Sequence, residues 1–311
     1  MRLVTRSDFD GLICAVLLKE AGVIDHYKFV HPKDIQDGIV PISENDVLTN
    51  IPYWPGCGLW FDHHSSEDDV TSLFAADFKG ASRPEKSCAR IVYDYFGGKK
   101  KFKKFAKMIE AVDKSDSGDL TSEEIKNPSG WILLSFIMDP RTGLGKYKDY
   151  RISNYQLMQD LIEYCRTLPI EEILAHPDVQ ERISRYRTDQ EHYIDMLKGC
   201  SKLYGSCLVI DLRPVKTTPA GNRFIEYMLF PECNVSMRVI WGLTKNIVVL
   251  CMGHSILNKS CTIDVGNIAK QYGGGGHFKV ATCQIPESNA DDILDEVIDY
   301  MVKHGPPATV Q

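Results

Sequence analysis

The sequence predicts an α/β protein of two domains, and three observations carry that expectation. Over the first two hundred residues short apolar runs alternate with helical stretches, the pattern of a mainly parallel sheet flanked by helices. Near residue 201 the pattern changes to closely spaced strand candidates, which read as a smaller α/β domain. At 311 residues the chain also exceeds the roughly 250–300 residues at which single cores stop growing. The expected division is 1–200 and 201–311, with about 179–200 as a connecting helix and a cleft between the domains.

In order, Arg2 to Thr5 reads as the first strand and Leu12 to Ala21 as the helix after it. Strands are expected at Tyr27 to Val30, Val47 to Thr49 and Gly58 to Phe61. Helices follow at Ser87 to Phe96, Lys101 to Ala111, Trp131 to Met138 and Asn154 to Thr167, and a long polar one at Val179 to Lys198. Beyond it, strands are expected at Ser206 to Leu212, Ser236 to Trp241, Ile247 to Met252 and Val280 to Ile285. Helices are placed at Asn222 to Leu229, Val265 to Tyr272 and Asp291 to Lys303.

Composition excludes several classes. Hydrophobic content of 43% and charged content of 25% are ordinary for a globular protein. No run of about 18 apolar residues exists, so no membrane span is expected. No secretory signal is visible, and a cytoplasmic location is expected. The ten cysteines show no Cys-x-x-Cys spacing and read as reduced core residues. A net charge of −6 speaks against a broad surface for duplex DNA. The basic stretch Lys99 to Lys104 reads as a solvated helix face rather than a polyanion guide.

The chemistry gathers in two segments that follow apolar runs. Asp8-Phe9-Asp10-Gly11 comes after Arg2 to Thr5, and Asp62-His63-His64 comes after Gly58 to Phe61. Neighbouring parallel strands would bring both loops to one carboxyl edge, where open α/β sheets place ligands. Paired carboxylates suit Mg²⁺ or Mn²⁺, and Mn²⁺ also accepts imidazole. The alternatives are helix capping by Asp10 and a plain polar turn at Asp62-His63-His64. Asp113-Lys114-Ser115-Asp116 supplies a further carboxylate pair at a helix end, with solvated helix termination as its alternative. Tyr272 is followed by Gly273, Gly274, Gly275, Gly276 and His277, whose unobstructed backbone N–H groups allow close approach of a phosphate or ribose.

With these motifs in this order, the chain resembles the DHH phosphoesterases with the DHH-associated C-terminal domain. Asp8-Phe9-Asp10 is similar to the family's first motif and Asp62-His63-His64 to its defining third. Gly273 to His277 resembles the C-terminal glycine signature, and Ser87-Cys88-Ala89-Arg90 the start of the helix after the third motif. The resemblance implies two-metal phosphoester chemistry, usually with Mn²⁺ (Mg²⁺ as substitute), and a C-terminal domain that clamps the substrate. By carry-over Asp10, His63 and Asp113 hold one metal with help from Asn50, while Asp8 stands almost alone at the other. Asp116 is second choice to Asp113, and Asp46 an outside alternative to Asn50.

The sequence departs from the family pattern at Val4 and Arg6, where a ligand is common, and at Asn50, where an Asp is. One or two metals per chain are therefore expected, with Arg6 contacting a phosphate where the second metal would sit. His64 is expected to orient the nucleophile or protonate the leaving oxygen, and Asp62 to orient a histidine. Gly273 to His277 would hold a phosphate or terminal nucleotide, and His254, Asn258 and Lys259 lie just upstream. The implied activity is metal-dependent hydrolysis of a phosphate-rich small molecule, polyphosphate or short single-stranded oligonucleotide. The alternative is a catalytically weakened nucleotide- or phosphate-binding sensor. Association of identical copies is allowed by the sequence.

Overall fold

The computed structural model describes residues 1–64, 78–243 and 245–306. These form two compact units: 1–119 with 127–186, and 120–126 with 187–311. The expected boundary at 200 is the end of the helix Pro177–Cys200, whereas the units divide inside that helix. Segment 120–126 joins the second unit, where the Asn222 side chain donates to the Ile125 carbonyl at 3.1 Å.

The first unit is built on five parallel strands: β1 (Arg2–Arg6), β2 (His26–Val30), β3 (Asp46–Thr49), β4 (Leu59–Asp62) and β5 (Gly80–Ser82), in the order β2-β1-β3-β4-β5. Side chains alternate across a strand, so Val4, Leu48 and Trp60 lie side by side on one face and pack with Val30 and Ile35. Helix Phe9–Glu20 is buried from Phe9 through Leu18. An apolar helix with no solvated face belongs inside a core. Strand β5 escapes sequence reading because Gly80-Ala81-Ser82 carries no apolar pattern.

One helix end also differs from expectation. The stretch expected as Lys101 to Ala111 is a short helix Gly98–Phe102, a 3₁₀ turn and a helix Ala106–Ser117. That last helix continues past residue 111 until Gly118, which adopts φ +70° and closes it. Asp113 and Asp116 are therefore helical.

The second unit carries a six-stranded mixed sheet: β6 (Ser201–Tyr204), β7 (Cys207–Asp211), β8 (Val235–Trp241), β9 (Ile247–His254), β10 (Gly275–His277) and β11 (Val280–Pro286), ordered β10-β11-β9-β8-β7-β6. Its inner face alternates cleanly: Met237 and Val239, Leu250 and Met252, Ala281 and Cys283 are buried. Helix Ala290–His304 covers that core with Leu294, Val297, Ile298 and Met301. Each such side chain contributes about 1.5–3 kcal/mol by leaving water. All ten cysteines are free thiols.

Gly11 matters through close packing. A Cβ there would lie 2.0 Å from the Arg6 carbonyl oxygen and 2.8 Å from Thr5 Oγ1. Gly11→Ala is expected to destabilise the first unit by about 1–3 kcal/mol, the usual cost of overpacking. A urea titration should show the lowered midpoint; an unchanged midpoint would mean the turn relaxes freely.

Candidate functional site

Parallel pairing brings the ends of β1, β3 and β4 to one edge of the sheet, and with them Asp8 and Asp10, Asn50, and Asp62 to His64. Asp8, not Asp10, caps helix Phe9–Glu20: its Oδ1 accepts from Gly11 N at 2.9 Å and from Asn50 Nδ2 at 3.0 Å. Its Oδ2 lies 3.0 Å from Arg6 Nε in an ion pair. Both oxygens of Asp8 are therefore engaged. Asn50 sits at φ +55°, a left-handed conformation that asparagine tolerates. Its Oδ1 is buried with no hydrogen-bond partner.

Asp10 is 2% exposed and is gripped from the opposite direction. Its Oδ2 accepts from Cys88 N at 2.9 Å and its Oδ1 from Ala89 N at 2.8 Å. Those amides open helix Cys88–Tyr95, while the third, from Arg90, goes to the capping Ser87 hydroxyl at 3.0 Å. A carboxylate thus satisfies donors that every helix start leaves unpaired.

His63 Nδ1 lies 3.2 Å from the Glu85 carbonyl. A carbonyl only accepts, so in the neutral ring Nδ1 carries the proton and Nε2 keeps its lone pair. That Nε2 lies 3.1 Å from Asp116 Oδ2 and 3.7 Å from Asp10 Oδ2. It is nevertheless buried without a hydrogen bond. One ligand atom each from Asp10, His63 and Asp116 falls within 4.8 Å of the others. His64, 40% exposed, holds its Nδ1 at 2.9 Å from Asp62 Oδ1, so Asp62 orients His64 and not His63.

Asp113 lies in a different set of contacts. Its Oδ1 accepts from Ser87 Oγ at 2.8 Å, and its Oδ2 accepts from Arg90 Nε at 3.0 Å and Nη2 at 2.6 Å. Asp116, one turn further along the helix, instead meets His63 Nε2, so the two carboxylates have different partners. Asp46 is at the opposite, amino end of β3, bound by Arg2 and Ser43. Sequence reading missed the amides of Cys88 and Ala89 and the Glu85 carbonyl, because backbone groups leave no residue signature. Gly118 was the available signal that the helix reaches Asp116.

In the second unit Gly273, at φ +72°, follows helix Val265–Gln271. A Cβ on Gly274 would meet the Thr282 carbonyl oxygen at 2.3 Å, and one on Gly276 the Val280 carbonyl oxygen at 2.3 Å. Gly275 has open space, and Gly275 to His277 form the exposed edge strand β10. Of the upstream residues, His254 Nε2 bonds the Ile263 carbonyl at 2.8 Å and Asn258 reaches the Glu232 carbonyl at 3.3 Å.

Fold and edge together define a two-unit α/β protein with carboxylates and an imidazole converging at strand ends. Residues 238–303 match the DHHA1 domain model. The chain is similar to the structure of the pGpG-specific phosphodiesterase PggH of Vibrio cholerae, with 44% identity, 98% of this chain and 99% of that one covered, and a TM-score of 0.81. It also aligns with RecJ from Thermus thermophilus in complex with Mn²⁺, at 10% identity and TM-score 0.48, covering 99% of this chain and 53% of that one. A search of curated proteins returned no match. The chain belongs to the DHH phosphoesterases that carry a DHHA1 domain, and it is a hydrolase.

The site's electrostatics predict an inverted pH response. Burial, then the charges of Asp116 and Asp8, hold the Asp10 carboxyl well above the ordinary carboxylate range. Burial also raises Asp8, opposed chiefly by Arg6. With folded values above unfolded ones, the folded state binds more protons, so these groups add stability as pH falls from neutral toward about 4. Metal-free protein is expected to melt at higher temperature near pH 5.5 than at pH 7.5. A melting series in chelator that rises steadily with pH would contradict this.

Proposed function

We propose that this chain hydrolyses a short 5′-phosphorylated dinucleotide of the pGpG kind to mononucleotides, with one divalent cation held by Asp10, His63 and Asp116. The observation that carries the reading is His63 Nε2, a lone pair aimed at two carboxylates, buried, and without a hydrogen bond. A mixed oxygen and imidazole set suits Mn²⁺, with Mg²⁺ as substitute. When bound, such a cation supplies Lewis acidity toward a phosphoryl oxygen and toward water. The substrate class follows from the relative of 44% identity, a pGpG-specific phosphodiesterase. That relative favours a dinucleotide over polyphosphate.

The chain's own residues divide the remaining work. Glu85 fixes the His63 tautomer through Nδ1, as partners of metal-binding histidines do. Asp62 holds His64 by Nδ1 and fixes the orientation of its ring. His64 then gives a proton to the oxygen that leaves when water adds to phosphorus, so one phosphodiester and one water become two mononucleotides. Asp8 acts as a helix cap and as the anchor of Arg6. Asn50 in turn holds Asp8. Asp113, through Ser87 and Arg90, fixes the helix whose amides grip Asp10. The exposed edge strand Gly275 to His277, with open space at Gly275, suits close approach of a phosphate or terminal nucleotide. Among the described residues no helix is long and apolar enough to cross a membrane.

With Mn²⁺, pGpG is expected to yield two GMP, and a chelator to stop the reaction. His63→Ala and Asp116→Asn should each lower kcat/KM by more than about 100-fold, beyond the usual loss for an outer partner. Chromatographic product analysis against polyphosphate and a cyclic dinucleotide checks the substrate. Full activity of Asp116→Asn, or release from polyphosphate alone, would overturn the reading.

A further inference from the structure

Asp10 of the proposed cation cluster feels the charge of Asp8, whose carboxylate is already occupied, and two guanidinium groups act on Asp8. Arg6 pairs with Asp8 Oδ2 at 3.0 Å and keeps 35% of its side chain exposed. A second guanidinium belongs to the same region. Helix Gly130–Met138 is pinned to helix Ala106–Ser117 by a 2.8 Å hydrogen bond between Ser135 and Ser115, the residue before Asp116. Immediately beyond that helix, Asp139 caps a 3₁₀ turn by accepting from Arg141 N at 2.9 Å.

The same Asp139 carboxylate takes Arg141 Nε, at 2.8 and 3.2 Å. Backbone and side chain of Arg141 are thereby held by one residue. Its Nη nitrogens make no hydrogen bond among the described residues, and half of the side chain is exposed (49%). The charge of Arg141 acts on Asp8 and Asp116 as well as on Asp139. A guanidinium fixed through Nε presents its outer edge to an oxyanion in the fork geometry that suits phosphate.

We propose that Arg141, together with Arg6, is a phosphate-binding residue that grips the reacting phosphodiester of the dinucleotide beside Asp10, His63 and Asp116. This rests on the reading of that cluster as the reaction centre. It adds a substrate-holding role from the turn at 139–142, outside every motif of the sequence. Among the described residues Arg141 bonds Asp139 and none of Asp10, His63 and Asp116, so its loss weakens substrate binding, while removal of its positive charge does not weaken cation loading.

The test measures three quantities on the full-length protein: Mn²⁺ affinity by calorimetry, KM and kcat on pGpG, and inhibition or binding by inorganic phosphate. Arg141→Ala should weaken phosphate binding and raise KM by about ten- to 100-fold, the range for a charged hydrogen bond. Mn²⁺ affinity should not fall. Arg141→Lys should recover part of the loss, and Arg141→Gln, which keeps the stem through Cδ and a nitrogen donor at the Nε position facing Asp139, guards against misfolding of the alanine variant. Unchanged KM and phosphate affinity in both Arg141→Ala and Arg141→Gln would overturn the proposal. If wild-type protein fails to cleave pGpG, the functional reading falls, while phosphate binding to wild type and variants still decides the role of Arg141.

Discussion

The grip of two backbone amides on the Asp10 carboxylate is the constraint on which the rest of the site depends. Asp10 comes from the turn after β1, and the amides come from the start of helix Cys88–Tyr95. The contact joins segments 78 residues apart. It orients a carboxylate that would otherwise be costly to bury. It also leaves Asp10 Oδ2 facing His63 Nε2, which in turn faces Asp116. Ser87, Arg90 and Asp113 brace the helix from the other end of its first turn. A carboxylate placed for structure thereby becomes one placed for chemistry.

The two halves of the carboxylate loop are unequal for a physical reason. Asp8 spends its oxygens on Gly11 N, Asn50 Nδ2 and Arg6, a set of donors that neutralises it within the protein. Asp10 receives only neutral amides and keeps neighbours of its own sign, Asp116 and Asp8. Like charges this close, with no ion pair from Arg or Lys to Asp10 among the described residues, favour a cation between them. Cationic side chains thus gather around one carboxylate and an unmet demand for positive charge around the other.

Much of this was legible in the sequence, and what was not has identifiable causes. The four apolar strands and the loops of Asp8 to Asp10 and Asp62 to His64 follow from pattern alone, since period and position suffice to bring them to one sheet edge. The expectation of Asp113 ahead of Asp116 rested on a helix thought to end near residue 112. The helix runs on to Gly118, so Asp113 is taken up by Ser87 and Arg90 while Asp116, one turn on, meets His63. The pairing of Asp62 with His64 and of His63 with a backbone carbonyl could not be read, because both depend on chain direction after β4. Strands β5 (Gly-Ala-Ser) and β10 (Gly-Gly-His) contain no apolar alternation and carry no strand signal. Likewise Arg141 follows a helix with no chemical motif, and only packing brings that helix to Ser115.

The proposed chemistry turns on a single cation site made by Asp10, His63 and Asp116, with Asp8 excluded by its own partners. Calorimetric titration of metal-free protein with Mn²⁺, run on wild type, Asp116→Asn and Asp113→Asn, decides whether that site exists. Wild type should take up one tight ion per chain, Asp116→Asn should lose it, and Asp113→Asn should keep it. Two tight ions per chain, or loss in Asp113→Asn with retention in Asp116→Asn, would refute this arrangement.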